Sequence, residues 1–77
     1  MNIEEWTAYR IKTLVKENNI TINKLATLSG LTQSTVDSII NGKSKNPRLK
    51  TIKKICEGLN ISIIEFFNDP FFDRIED

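Results

Sequence analysis

Apolar residues recur at roughly helical spacing in five separate stretches of the chain. Ile3, Trp6, Ile11, Leu14 and Val15 predict a first helix from Ile3 to about Asn18, ended by "ENN", where Asn18 and Asn19 suit a left-handed cap. Thr21 can cap a second helix over "INKLATLS", with Leu25, Ala26 and Leu28 as its apolar positions and Gly30 as its stop. Leu31 and the N-cap candidate Thr32 lead into a third helix from about Gln33 to Asn41, with Val36, Ile39 and Ile40 facing inward and Gly42 ending it. From about Leu49, the stripe Ile52, Ile55, Cys56 and Leu59 predicts a fourth, capped by Asn60. Ser62 opens a fifth, "IIEFFND", which Pro70 terminates. No stretch alternates in the manner of a strand and no segment repeats, so the expected class is all-α.

The third helix is the unusual one. Its outward positions are Gln33, Ser34, Thr35, Asp37 and Ser38, short polar side chains that offer little to an apolar partner, yet it lacks the Lys and Glu of an ordinary solvated face. Short side chains permit close approach. In a DNA major groove glutamine can pair with adenine N6 and N7, serine and threonine can bond to base edges, and a threonine methyl can meet the thymine methyl. A tight turn at Gly30 followed by a cap at Thr32 is also what a helix-turn-helix requires, its second helix entering the groove by its N-terminal end. Gln33, Ser34, Thr35 and Ser38 are therefore the candidate base-reading residues.

The charge distribution sharpens this reading. The net charge of +1 over 77 residues hides a bipolar chain: residues 6–56 sum to +8, while residues 1–5 and 57–77 contribute −2 and −5. Six cations and no acid lie between Lys43 and Lys54, the signature of a polyanion-binding surface. Lys43, Lys45 and Arg48 follow the third helix where the chain must leave the groove beside the phosphates. Thr21 adds a helix N-terminus whose free N–H groups attract anions.

Other chemistries lose ground on composition. A chain of this length, 39% hydrophobic and 27% charged, has one modest core and no room for a deep substrate cleft. Cys56 is alone and histidine is absent, so neither an internal disulfide nor an ordinary zinc site is expected, and no metal or cofactor is implied. No histidine base, nucleophile elbow or phosphate-cradling glycine loop is present, so the chain is not expected to be an enzyme. There is no apolar run near eighteen residues, and "MNIEEWTAYR" is acidic where a signal peptide would be basic; a cytoplasmic protein without a membrane partner is expected.

From Arg10 to Asn68 the sequence resembles the phage-repressor and Cro-type, or Xre-like, helix-turn-helix family. The markers are R-I-x-x-L, then L-A, then G-L-T-Q-S-T-V, then N-G-K, a proline, and L-N-I-S. The resemblance implies a compact five-helix, lambda-repressor-like DNA-binding domain over residues 1–68, followed by an acidic, aromatic tail over residues 69–77. It also implies a homodimer on a near-palindromic operator, base reading by Gln33, Ser34 and Ser38, and phosphate or minor-groove contact by Asn41, Lys43, Lys45 and Arg48. Three features depart from the family pattern: Ile22, the pair Val15 and Ile40, and the tail "DPFFDRIED", which lies beyond the match. Many members carry glutamine at the position of Ile22, where it touches a phosphate, and an arginine–glutamate pair at the positions of Val15 and Ile40.

Four phenylalanines within seven residues, Phe66, Phe67, Phe71 and Phe72, exceed what a small core is expected to hide, and together with the tail they are the candidate dimer interface. Trp6 and Tyr9 are expected to serve packing rather than base stacking. The expected function is sequence-specific binding of double-stranded DNA as a transcriptional regulator, a repressor above all. The alternative is an antitoxin-like or antirepressor-like module that docks a protein partner through its aromatic tail.

Overall fold

The structure, a computed structural model, describes residues 1–43 and 47–76. Five helices follow one another: α1 (Ile3–Glu17), α2 (Ile22–Ser29), α3 (Gln33–Ile40), α4 (Leu49–Leu59) and α5 (Ile63–Phe67), then a 3₁₀ helix at Pro70–Arg74. The all-α expectation holds among the described residues.

Local chemistry sets most of the boundaries. Thr21, Thr32 and Ser62 each accept a hydrogen bond from the backbone N–H three residues ahead, so orphan donors at three helix starts are satisfied. The start of α1 is sealed by a reciprocal box: Asn2 Oδ1 accepts from the Glu5 N–H at 2.8 Å while Glu5 Oε1 accepts from the Asn2 N–H at 2.9 Å. The first four helices also share one ending. Asn19, Gly30, Gly42 and Asn60 all have positive φ, of 55°, 68°, 72° and 58°. The N–H of the residue following each reaches back to a carbonyl five positions earlier, as in Lys43 N–H to Ser38 O at 2.9 Å and Leu31 N–H to Ala26 O at 2.9 Å.

Trp6, Ile11, Leu25, Val36, Ile55 and Phe66 are fully buried at the centre, each contributing about 1.5–3 kcal/mol by removal of apolar surface from water. Val36 and Ile39 face this core as expected, with Ile40 half-buried beside it, whereas Leu28 turns outward and is 46% exposed. Val15 and Ile40, where the resemblance implied an arginine–glutamate pair, both pack on this core, where an apolar pair escapes the desolvation cost of buried charges. Ile22 likewise packs on the core rather than offering an amide to a phosphate.

α2 and α4 lie closest. At Gly58 an added Cβ would meet Ser29 Oγ at 2.5 Å and the backbone of Leu28 and Ser29 at 3.0 Å, so this crossing admits only glycine without displacement. Nothing in the sequence pattern marks that position.

The C-terminal end corrects the sequence-based expectation in two respects. α5 stops at Phe67, and Pro70 opens a further 3₁₀ helix instead of ending a longer α5. Residues 69–76 do not stand apart from the domain either: Trp6 Nε1 donates to Asp69 Oδ2 at 2.8 Å, and the Glu76 N–H donates to the Met1 carbonyl at 3.2 Å. The aromatic surplus is mostly internal. Phe66 is fully buried, and Phe67 and Phe72 pack around the Trp6 indole with ring centroids 5.7 and 4.8 Å away. Phe66 is thus unavailable as a dimer contact and Phe67 and Phe72 are largely committed. A tryptophan in the core has enough surface to occupy three rings, which the pattern of apolar residues does not reveal.

Arg10 completes this corner. Its Nε donates to the Phe66 carbonyl at 2.7 Å and an Nη to the Glu65 carbonyl at 2.8 Å, placing a cation on the C-terminal carbonyls of α5. One of the cations counted in the +8 of residues 6–56 is therefore a structural cap.

Candidate nucleic-acid interface

The turn from Gly30 to Thr32 sets α3 against α2 with its N-terminal end outermost. Gly30 takes the left-handed conformation that reverses the chain, Leu31 packs inward, and Thr32 Oγ1 accepts from the Thr35 N–H at 3.1 Å. Because Val36 and Ile39 are pinned in the core, the opposite side of α3 is left to solvent: Gln33, Ser34 and Thr35 are exposed and Ser38 is half-exposed. The face is polar, uncharged apart from Asp37, and free of long side chains.

Ser34, Thr35 and Ser38 line an open groove together with Lys43, Pro47, Arg48 and Thr51. Three of the four base-reading candidates, Gln33 being the exception, and two of the phosphate candidates therefore share one groove. The Lys43 N–H donates to the Ser38 carbonyl, which ties its backbone to the end of α3. Arg48 occupies the N-cap position of α4, where its guanidinium, a donor without an acceptor, cannot cap the helix, and the residue is exposed. Thr51 was not foreseen; it lies one turn into α4 on the same side as Arg48, a placement that only the packing of α4 determines.

Thr35 is partly engaged already, its hydroxyl 2.9 Å from that of Thr32. Gln33 is held as well, its Oε1 accepting from Asn23 Nδ2 of α2 at 2.6 Å. Sequence reasoning passed over Asn23, and a ten-residue separation across a turn gives no periodic signal for such a pair. Thr21 is the N-cap of α2, with its Oγ1 accepting from the Lys24 N–H at 3.0 Å. Asn41 sits apart from the groove, in a depression shared with Glu5, Ala8, Tyr9 and Lys12 on the α1 side. Lys45 lies outside the described residues.

A two-helix unit with a glycine turn, a polar outer helix and flanking cations on the same surface is the geometry of a helix-turn-helix DNA-binding domain. The chain belongs to the family of Cro/C1-type helix-turn-helix DNA-binding domains, whose family profile matches residues 10–71. It is 40% identical over 52 residues to the HTH-type transcriptional repressor RghR of Bacillus subtilis (strain 168), and 35% identical over 52 residues to the uncharacterized HTH-type transcriptional regulator RghRB of the same organism. Each alignment covers 68% of this chain but only 38% and 37% of the relatives, so the chain spans well under half their length. Among solved structures, the crystal structure of the prophage Lp1 protein 11 superposes with a TM-score of 0.83 at 40% identity, covering 95% of this chain and 97% of that one.

Membership in this family, together with the inward packing of Phe66, Phe67 and Phe72, disfavours the alternative of a module whose aromatic tail is a protein-docking surface. No described helix is long and apolar enough to cross a membrane.

Proposed function

We propose that this chain is a sequence-specific transcriptional regulator, acting as a repressor, that binds double-stranded DNA as a homodimer and reads an operator with α3 in the major groove. The observation that supports the reading is the shared groove: Ser34, Thr35 and Ser38 of α3 line it together with Lys43 and Arg48, so bases and phosphates can be met by one surface. Gln33 at the leading end of α3 reads an adjacent base, Thr21 offers the N-terminus of α2 to a phosphate, and Lys45 adds a backbone contact, whereas Asn41, on the α1 side, is left out of the interface. Repression is favoured by the similarity to RghR, a transcriptional repressor. The work is done in the cytoplasm and needs no cofactor.

A single eight-residue helix reads few base pairs, so two-fold symmetry is the economical route to selectivity. Phe71 of the 3₁₀ helix is the contact we assign to the dimer, since it is the one phenylalanine left 45% exposed. Tyr9 packs edge-on against it with centroids 5.9 Å apart, and the Arg74 guanidinium lies 5.7 Å from its ring centroid.

The test is affinity for a selected duplex as a function of salt. With about four phosphates neutralised per protomer, log K falls with log salt at a slope of about −3 to −4 per half-site, and Arg48→Ala lowers that slope by about one. Affinity that is flat from low to moderate salt would remove the electrostatic half of the proposal.

A further inference from the structure

Asn41 lies outside the DNA-facing groove, and it is the one asparagine in the chain followed by glycine. Such a pair carries its own reaction. The backbone nitrogen of the glycine, after giving its proton to water or hydroxide, can attack the asparagine Cγ, because the glycine has no side chain to hinder the approach. A new N–Cγ bond closes a five-membered succinimide, the Cγ–Nδ2 bond breaks, and the amide nitrogen leaves as ammonia. Water then opens the ring at either carbonyl, giving aspartate or isoaspartate. Nothing is oxidised or reduced, and water is the sole co-reactant.

Access and restraint meet at this turn. Asn41 and Gly42 are both exposed, and a Cβ at Gly42 would meet nothing within 4 Å, so solvent reaches the reacting atoms. As the C-cap of α3, however, Asn41 is held at φ −87° and ψ 6°, which turns the Gly42 nitrogen away from its Cγ. Ring closure needs an extended ψ at Asn41. Reaching it breaks the bonds from Gly42 N–H to Ile39 O at 3.2 Å and from Lys43 N–H to Ser38 O at 2.9 Å. Both lie at an exposed helix end, where local opening costs far less than global unfolding.

We propose that Asn41–Gly42 is a self-modification site, converted to aspartate and isoaspartate as the last turn of α3 opens, and that conversion weakens the hold of the neighbouring groove on DNA. The second half rests on the reading of that groove as the DNA interface. Either product puts a negative charge at the C-terminal end of α3, where the helix dipole opposes it, close in sequence to Lys43. Isoaspartate also inserts an extra methylene into the main chain between α3 and Lys43, so the Lys43–Ser38 bond loses its register. Both changes act on a phosphate contact and spare the base-reading side chains, so every DNA sequence is affected alike.

The experiment ages the full chain at neutral and mildly alkaline pH, folded or in urea, and follows the peptide containing residue 41 by mass spectrometry with fragmentation that separates aspartate from isoaspartate. Asn41→Gln, whose longer side chain cannot close the five-membered ring, is aged in parallel. The expected result is conversion at Asn41 ahead of every other asparagine, faster at the higher pH, and at least about fivefold faster in urea than in the folded protein. Aged wild type and fresh Asn41→Asp should bind selected and scrambled duplexes about 3- to 10-fold more weakly than fresh wild type, while aged Asn41→Gln keeps its affinity. If another asparagine converts first, or the folded chain yields no product at Asn41, the site is overturned. Equal rates in the folded and denatured chains would overturn the restraint by α3. Converted protein that binds DNA as tightly as fresh wild type would overturn the consequence for binding, whereas fresh wild type that binds no duplex would overturn the reading of the groove and leave the chemistry at Asn41 standing.

Discussion

The indole N–H of Trp6 donates to Asp69 Oδ2 at 2.8 Å, joining the first turn of α1 to the residue ahead of the 3₁₀ helix. The indole itself is fully buried, so the bond satisfies a donor that water cannot reach. Asp69→Ala leaves that N–H unpaired and is expected to cost about 1–3 kcal/mol, read as a lower urea midpoint with an unchanged slope. The selected DNA sequence should not change. A midpoint equal to that of the wild type would show that the last residues contribute nothing to the fold.

The four phenylalanines should separate on mutation. Phe66→Ser removes a fully buried ring from contact with Trp6 and is expected to cost at least about 3–5 kcal/mol, enough to unfold a domain of this size. Phe71→Ser should retain helicity while shifting the DNA-bound species from two protomers to one, as read by light scattering. Changing Phe72 together with Phe71 would blur the result, because Phe72 lies 4.8 Å from the Trp6 ring. A Phe71→Ser protein that still binds as a dimer with full affinity would move the interface elsewhere.

The crossing of α2 and α4 supplies a third prediction. Gly58→Ala puts a methyl 2.5 Å from Ser29 Oγ and 3.0 Å from backbone that cannot yield easily, so about 1–3 kcal/mol of stability should be lost. Ser29→Ala should be neutral or stabilising, since its buried hydroxyl has no partner among the described residues. Thermal melts of the two variants should therefore move apart, and a lower melting temperature for Ser29→Ala would reveal a hydrogen bond formed in solution.

Cys56 is buried in α4, and burial pushes its thiol pKa up, with nearby Lys53 opposing only in part. The thiolate is the reactive form, so the native protein at neutral pH should react slowly with a coloured disulfide reagent and rapidly once denatured. Equal rates in the two states would contradict the packing of α4.

Much of this was legible in the chain. Thr21, Thr32 and Ser62 announce helix starts because a hydroxyl cap acts within three residues, and Asn19, Gly30, Gly42 and Asn60 announce the ends because left-handed backbone favours glycine and asparagine. The polar face of α3 was visible for the same local reason: its period exposes what its core positions do not use. What remained hidden depends on contacts distant in sequence. Arg10 reads as one more surface cation until it meets the α5 carbonyls 55 and 56 residues away. Phe67 and Phe72 look surplus until Trp6 gathers them, and the Asn23–Gln33 pair appears only when α2 and α3 are set at their angle.

The central claim is that α3 reads bases while the cations beside it bind any DNA. Its most direct test replaces Gln33, Ser34 and Ser38 together by alanine and measures, at one fixed salt concentration, affinity for the selected duplex and for a scrambled one. Wild type should prefer the selected duplex by about 10³-fold or more. The variant should fall to within about tenfold, with its affinity for scrambled DNA nearly unchanged because Lys43 and Arg48 remain. An equal loss on both duplexes, or an undiminished preference, would contradict the account.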